Sequence, residues 1–206
     1  MRVALVGGTG AFGRALALRL REAGLDVVIG SRDEGRAAAV AAELGVEGRA
    51  NDDAARSADL VVLATNADAT LATAEQLRGA IGGTPVLCVA SELHFTPVGV
   101  LPGSEALSLA ERVQTVVDAP VAAGLHSLGA RTLGREDAPE EDALVCGDDA
   151  EAKALALELA GRITRGRAID AGPLAGARAL EGLTAVLVNV NKRYKTHAGI
   201  RLTGLP

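Results

Sequence analysis

Short apolar runs that end at glycine or polar turns alternate along this chain with stretches in which apolar residues recur every three or four positions. The first run, Val3 to Val6, carries no charge and suits a strand buried on both faces of a parallel sheet. It breaks into glycines, and Ala15 to Arg21 then reads as a helix closed by Gly24. Leu25 to Gly30 predicts a second strand, Asp33 to Leu44 a second helix, and Val46 to Ala50 a short, polar third strand. Asp59 to Ala64 is a strong fourth strand, Asp68 to Ile81 a helix, and Pro85 to Val89 a fifth strand. Ala90 to Pro102, with Pro97, Gly99 and Pro102, predicts an irregular connection just past a strand end. Helices are then expected over Ser104 to Val116 and Ala150 to Ile163, with strands over Pro120 to Leu125, Ala143 to Cys146 and Ala168 to Ala171. Arg131 to Asp142 reads as a polar, acidic surface loop, and Leu174 to about Tyr194 as the longest helix.

This alternation at short spacing predicts an α/β fold, a Rossmann-type doubly wound parallel sheet with helices on both faces. The expected division is a dinucleotide-binding domain over residues 1–172 and a small, mostly helical C-terminal part over 173–206. In that last helix, Leu183, Val186, Leu187 and Val190 leave little polar face for water, which predicts burial against a second subunit and hence a homodimer.

Composition narrows the classes. The 206 residues are 49% apolar with no Trp, one Tyr and two Phe, so the core is built from Ala, Val and Leu. A net charge of -5 argues against nucleic acid as the main partner. No apolar run reaches transmembrane length, and Met1 leads almost directly into a core strand, so a soluble cytoplasmic protein is expected. Cys88 and Cys146 sit inside apolar runs and read as buried thiols; no metal-ligand spacing is present.

The chemistry begins at the first glycines. Gly8, Gly10 and Gly13 fit G-x-G-x-x-G between a strand and a helix, which is the context that makes the motif a dinucleotide-binding turn. The expected roles are a tight turn at the first glycine, close backbone approach to a pyrophosphate at the second, and helix–strand packing at the third. Phe12 lies in the same turn. An NAD enzyme places an acid at the end of the second strand; here that corner reads Gly30-Ser31-Arg32-Asp33, with Arg36 one helical turn on. Ser31 and Arg32 stand where the acid would sit; Arg32 and Arg36 could be solvated surface groups, but their place opposite Gly8 favours a 2′-phosphate and therefore NADP(H). Thr9 can add a hydroxyl donor, and Asp33 is well placed as a helix N-cap. Thr65, just after the fourth strand, joins the expected cofactor-binding residues.

With Gly-Gly-Thr-Gly-x-x-Gly, Gly-Ser-Arg, Leu144 to Asp149 (Leu-Val-Cys-Gly-Asp-Asp) and Asp170 to Leu174 (Asp-Ala-Gly-Pro-Leu), the chain resembles the F420-dependent NADP oxidoreductase family. Leu183-Thr184 and Arg193 to Arg201 also fit actinobacterial-type members. The resemblance implies hydride exchange between NADPH and the deazaflavin coenzyme F420 in a homodimer. It carries NADP contacts onto Thr9, Ser31, Arg32 and Arg36, and deazaflavin contacts onto His126, Leu128, Arg178 and Thr184. Hydride transfer between two stacked rings needs positioning and neither a nucleophile nor a metal. His126, at a predicted strand end, is the catalytic candidate, as a donor to charge on the reduced deazaflavin or else a packing residue. His94 is a weaker candidate, and His197 reads as a surface residue of a basic tail. Thr65-Asn66 and the Ala90 to Pro102 segment depart from the family pattern. They leave open an NADP-linked reductase of another flavin or small carbonyl substrate, or an NADP(H)-sensing protein without turnover.

Overall fold

The computed structural model describes residues 1–205. Its strands are β1 (Arg2–Val6), β2 (Asp26–Ser31), β3 (Glu47–Ala50), β4 (Leu60–Leu63), β5 (Val86–Cys88), β6 (Leu93–Thr96), β7 (Gly99–Pro102), β8 (Val121–Gly124), β9 (Ala143–Gly147) and β10 (Ala168–Asp170). Its helices are α1 (Ala11–Glu22), α2 (Glu34–Leu44), α3 (Asn51–Arg56), α4 (Ala67–Ile81), α5 (Leu109–Val116), α6 (Ala130–Leu133), α7 (Ala150–Ile163) and α8 (Ala177–Tyr194).

Eight strands form one sheet in the order β3-β2-β1-β4-β5-β8-β9-β10. Alternate residues of β1 feed two cores, as the pleat requires. Val3 and Leu5 pack on the side of α1, α2 and α7. Ala4 and Val6 pack on the side of α3, α4 and α5, where Leu174, Ala177 and Leu180 of the C-terminal part also enter. The chain reverses its winding between β1 and β4, so their carboxyl ends open a crevice where ligands bind in such sheets.

The sheet is mostly parallel, not wholly so. β9 runs antiparallel to β8, with Ala123 opposite Cys146, and β10 is parallel to β9. β9 and β10 carry the chain to the edge of the sheet before α8 begins. The Ala90 to Pro102 segment is also more ordered than its prolines suggest. β6 and β7 form a hairpin, turned at Thr96 to Gly99, in which the Thr96 hydroxyl donates to the Gly99 carbonyl at 2.7 Å. Gly99 sits at φ +140°. Asn189 of α8 holds the hairpin at both ends of one amide: Nδ2 donates to the Val100 carbonyl and Oδ1 accepts from the Val100 N–H. Three further differences are local. α5 begins at Leu109, after Ser108, whose capping box with Glu111 fixes the start later than the expected Ser104. α3 adds a short helix after β3, and α6 interrupts the acidic loop.

The last helix is not apolar all round. It buries Ala177, Leu180, Ala185 and Leu187 against the rest of the chain, while Val186 is 56% exposed. Leu187 is therefore covered within one protomer, which corrects its expected place in a subunit contact.

Candidate active site

The turn after β1 is built by backbone geometry. Gly7 takes the left-handed conformation at φ +79°, and a Cβ there would meet Thr65 Cγ2 at 2.7 Å. The strained turn thus falls one residue before the motif's first glycine, where the sequence pattern had placed it. Gly8 is instead pinned in the backbone turn, donating to the Leu5 carbonyl at 3.0 Å. Gly13 allows α1 onto the turn, since a Cβ there would lie 2.6 Å from Gly8 Cα. At Gly10 a Cβ would make only ordinary contact within the protein. Space is kept there at the head of α1, which Gly10 caps without any side chain. The helix's first N–H groups are left to an anion.

Beside this turn lies a pocket of about 190 Å³ that brings together Thr9, Ser31, Arg32, Arg36, Asn51 and Thr65. Asp33 turns away from it as the α2 N-cap, its Oδ1 accepting from the Arg36 N–H at 3.0 Å. Arg32 and Arg36 are exposed and form no ion pair among the described residues. Asn51 escaped the sequence reading. It follows β3 and is buried, with Oδ1 lacking any hydrogen-bond partner and lying 2.8 Å from where a Gly30 Cβ would stand. An orphaned buried oxygen in a polar pocket is a ligand-facing group by default. Its signal was positional: the first residue after a strand's carboxyl end.

The pocket runs through Gly10, Ala64, Thr65 and Asn66 into a cleft of about 720 Å³. Phe12, Leu128, His126 and Thr184 line this cleft, together with Ser91 and Phe95 from the segment after β5. Both phenylalanines of the chain face it. Ser91 was the other residue the sequence did not single out. Its hydroxyl pairs with that of Thr184 at 2.8 Å, and Thr184 donates to the His126 carbonyl at 3.0 Å. Those two bonds fix α8 to the segments that follow β5 and β8.

His126 follows Leu125, a bulky residue held at φ +65°. Such a conformation is costly for leucine and persists because its surroundings impose it. Leu125 is buried, its N–H donates to the Leu144 carbonyl at 3.1 Å, and its carbonyl accepts from Leu128 at 2.9 Å. The His126 ring is buried, and neither Nδ1 nor Nε2 completes a hydrogen bond, although the nearby Ala90 carbonyl attracts a proton. Burial pushes the imidazole down to about 4, so it is neutral at ordinary pH. The two thiols are shut away. Burial raises Cys88 to about 12 and Cys146 to about 11.

Arg178 is not brought into this cleft. It is exposed near the start of α8, beside a small recess lined by Glu92, Ser108 and Glu181. His94 is exposed on the hairpin, away from the cleft lining.

A family profile described as "NADP oxidoreductase coenzyme F420-dependent" matches residues 2–91. The F420-dependent NADP reductase of Methanothermobacter thermautotrophicus is 36% identical over an alignment covering 100% of this chain and 96% of that protein. This chain belongs to the F420-dependent NADP reductase family. A second member, from Methanocaldococcus jannaschii, is 35% identical with coverage of 100% and 99%. Among solved structures, a protein proposed to be an F420-dependent NADP reductase from Arthrobacter superposes with a TM-score of 0.80 at 27% identity, covering 97% of this chain and 99% of that one. As a member of this family the chain is an oxidoreductase. No described helix is long and apolar enough to cross a membrane.

Proposed function

We propose that this reductase transfers a hydride between NADPH and F420 across the seam at Gly10 and Thr65, with the dinucleotide in the smaller pocket and the deazaflavin in the larger cleft. The observation that carries the reading is the continuity of the two spaces. The residues fit NADPH. An uncapped helix start, two unpaired arginines and the orphaned Asn51 Oδ1 all converge on one pocket. When bound, NADPH supplies the hydride that F420 accepts.

The chain's own part is to bind, orient and exclude water. The α1 N–H groups hold the pyrophosphate, and Thr9, Ser31, Arg32 and Arg36 hold the 2′-phosphate. Leu128, Phe12 and the buried flank of His126 make a dry wall for the deazaflavin. The neutral imidazole would offer its one N–H to charge on that ring system by turning it from the Ala90 carbonyl toward the cleft. Residues 1–172 then act as the dinucleotide half, and 173–206 complete the wall through Thr184.

Two variants test this together. Arg32→Ala is expected to weaken NADPH binding by about 1.5–3 kcal/mol, roughly 10–100-fold, with NADH and F420 little changed. His126→Ala is expected to weaken F420 binding and slow single-turnover hydride transfer about tenfold or more, with NADPH affinity intact. Equal losses for NADPH and NADH in the first, or unaltered F420 kinetics in the second, would overturn the assignment concerned.

A homodimer in the cytoplasm belongs to the same proposal. Its support is an apolar patch formed by Val186 of α8 with Val98 and Leu101 of the adjoining hairpin, all exposed. Sedimentation at micromolar concentration should give twice the chain mass, and Val186→Glu should give a monomer. A monomeric unmodified protein removes this assembly.

A further inference from the structure

Glu181 is the only acid of α8 and is 5% exposed, yet it forms no ion pair among the described residues. Asp142, the other buried carboxylate, has Arg167. What Glu181 has instead is the head of α5. Its Oε1 accepts from the Leu109 N–H at 2.8 Å, and the Ala110 N–H also bonds to the carboxylate. The side chain thus joins α8 to α5 from the inside.

The base of the hairpin meets the same point. The Glu92 carbonyl accepts from the Gly103 N–H at 2.8 Å, which closes the hairpin, and the Glu92 carboxylate accepts from Arg112 Nη2 of α5 at 2.7 Å. Arg112 is therefore committed to Glu92 and not to Glu181. A recess of about 10 Å³, room for no more than about one water, lies among Glu92, Ser108, Arg178 and Glu181. The charged groups around Glu181 are Glu92 at the hairpin base, Glu111 and Arg112 of α5, and the exposed Arg178 of its own helix. β7, β8 and the turn at Leu174–Gly176 present no titratable side chain, His94 of β6 is exposed, and burial keeps the Cys88 and Cys146 thiols neutral. This joint adjoins the cleft wall. Thr184 lies one turn along α8 from Glu181, and its hydroxyl partner Ser91 precedes Glu92.

We infer that Glu181 is a proton-sensitive positioning residue: protonated, it keeps α8 closed on α5 and the hairpin base and so holds Thr184 at the cleft wall, and ionised, it favours an open joint that admits water and slackens that wall. Burial pushes the carboxyl up to about 7, with Glu92 adding to the rise and the two N–H donors and Arg112 opposing it. The stability a raised carboxyl gives the closed joint is full below its unfolded value near 4.5 and is lost as pH rises through about 7. Above that, water gains by reaching the charge, and it reaches it only if the three segments part. His126, pushed down to about 4, does not titrate in this window. The inference rests on the proposed place of the deazaflavin in the larger cleft, because only that ligand touches the wall that moves.

The experiment is a fluorescence titration of F420 and, separately, of NADPH into the unmodified protein and into Glu181→Gln, from pH 6 to 8.5. Glutamine keeps an oxygen for the Leu109 N–H and cannot ionise. Titration of the coenzyme and of the exposed histidines is common to both proteins and cancels in the ratio of their dissociation constants. For F420 the unmodified protein should weaken relative to the variant by about threefold or more across this range, while the NADPH ratio stays within about twofold. Glu92→Gln provides a second check that leaves Glu181 in place. It removes a like charge and frees Arg112, so the pH at which F420 binding weakens should fall by about half a unit or more. An F420 ratio that is flat with pH, an equal change for NADPH, or an unmoved midpoint in Glu92→Gln overturns the latch while leaving the cleft assignment standing. An unmodified protein that binds NADPH but not F420 overturns the placement of the deazaflavin and the latch with it.

Discussion

Gly13→Ala is expected to lose about 3 kcal/mol or more of folding stability and to abolish NADPH binding. The added methyl would meet Gly8 Cα at 2.6 Å and the Gly7 carbonyl oxygen at 2.9 Å. Both are backbone atoms, so no side chain can rotate away, and α1 must move off the turn whose spacing forms the pyrophosphate cradle. A loss of that size is a large share of a domain's usual 5–15 kcal/mol. Urea unfolding of the variant beside Gly79→Ala provides the contrast. Gly79 lies inside α4 with nothing within 4 Å of an added Cβ, so that change should stabilise by about 0.5–1 kcal/mol. A Gly13→Ala protein as stable as the parent, with normal NADPH affinity, would mean that the helix is not held against the turn as described.

Asp142→Asn is expected to cost about 2–4 kcal/mol at pH 7. Asp142 is fully buried just before β9 and draws three parts of the chain together. Its carboxylate accepts from the Arg167 guanidinium at 2.8 Å, from the Arg167 N–H at 3.0 Å and from the Leu202 N–H at 2.7 Å. Its own N–H donates to the Ile200 carbonyl at 2.8 Å. The Arg167 side-chain bond, helped by the two N–H donors, holds the carboxyl well below the usual carboxylate range. A group whose folded pKa is depressed contributes stability that is full above its unfolded value near 4 and is lost as pH falls through the folded value. The deficit of the asparagine variant relative to the parent should therefore be constant from pH 7 to about 5 and narrow below about 4. Urea midpoints measured across that range check it; a deficit that widens in acid would contradict the assignment.

The sequence revealed this architecture wherever one apolar run was bounded by a clear stop. Val3 to Val6 followed by glycines is legible because burial on both faces and the glycine turn are each written in residue type. The position of Asp33 as a cap was legible for the same reason. What was hidden depends on partners distant in the chain. The direction of β9 is set by its pairing with β8, and a buried run such as Ala143 to Cys146 reads the same in either direction. The hairpin was masked because its strands, half exposed, alternate weakly and carry Pro97 in the turn and Pro102 at the edge. Leu187 and Val186 are indistinguishable by composition, and only the packing of α8 beside the segment after β8 decides which is covered. At the site, the arginine corner could be read from its place after a strand. Asn51 and Ser91 could not, because their roles come from what stands across the pocket: Gly30 for one, and Thr184 for the other.

The late place of α8 in the chain also sets the order in which the working parts are synthesised. Every residue lining the dinucleotide pocket lies at or before Thr73, whereas the wall of the cleft waits for Thr184. At about 5–20 residues per second on the ribosome, those roughly 110 residues separate the two by about 6–20 s. The residues of the NADPH pocket are thus synthesised well before Thr184, which completes the cleft. The docking of α8 is therefore the last event that builds the cleft.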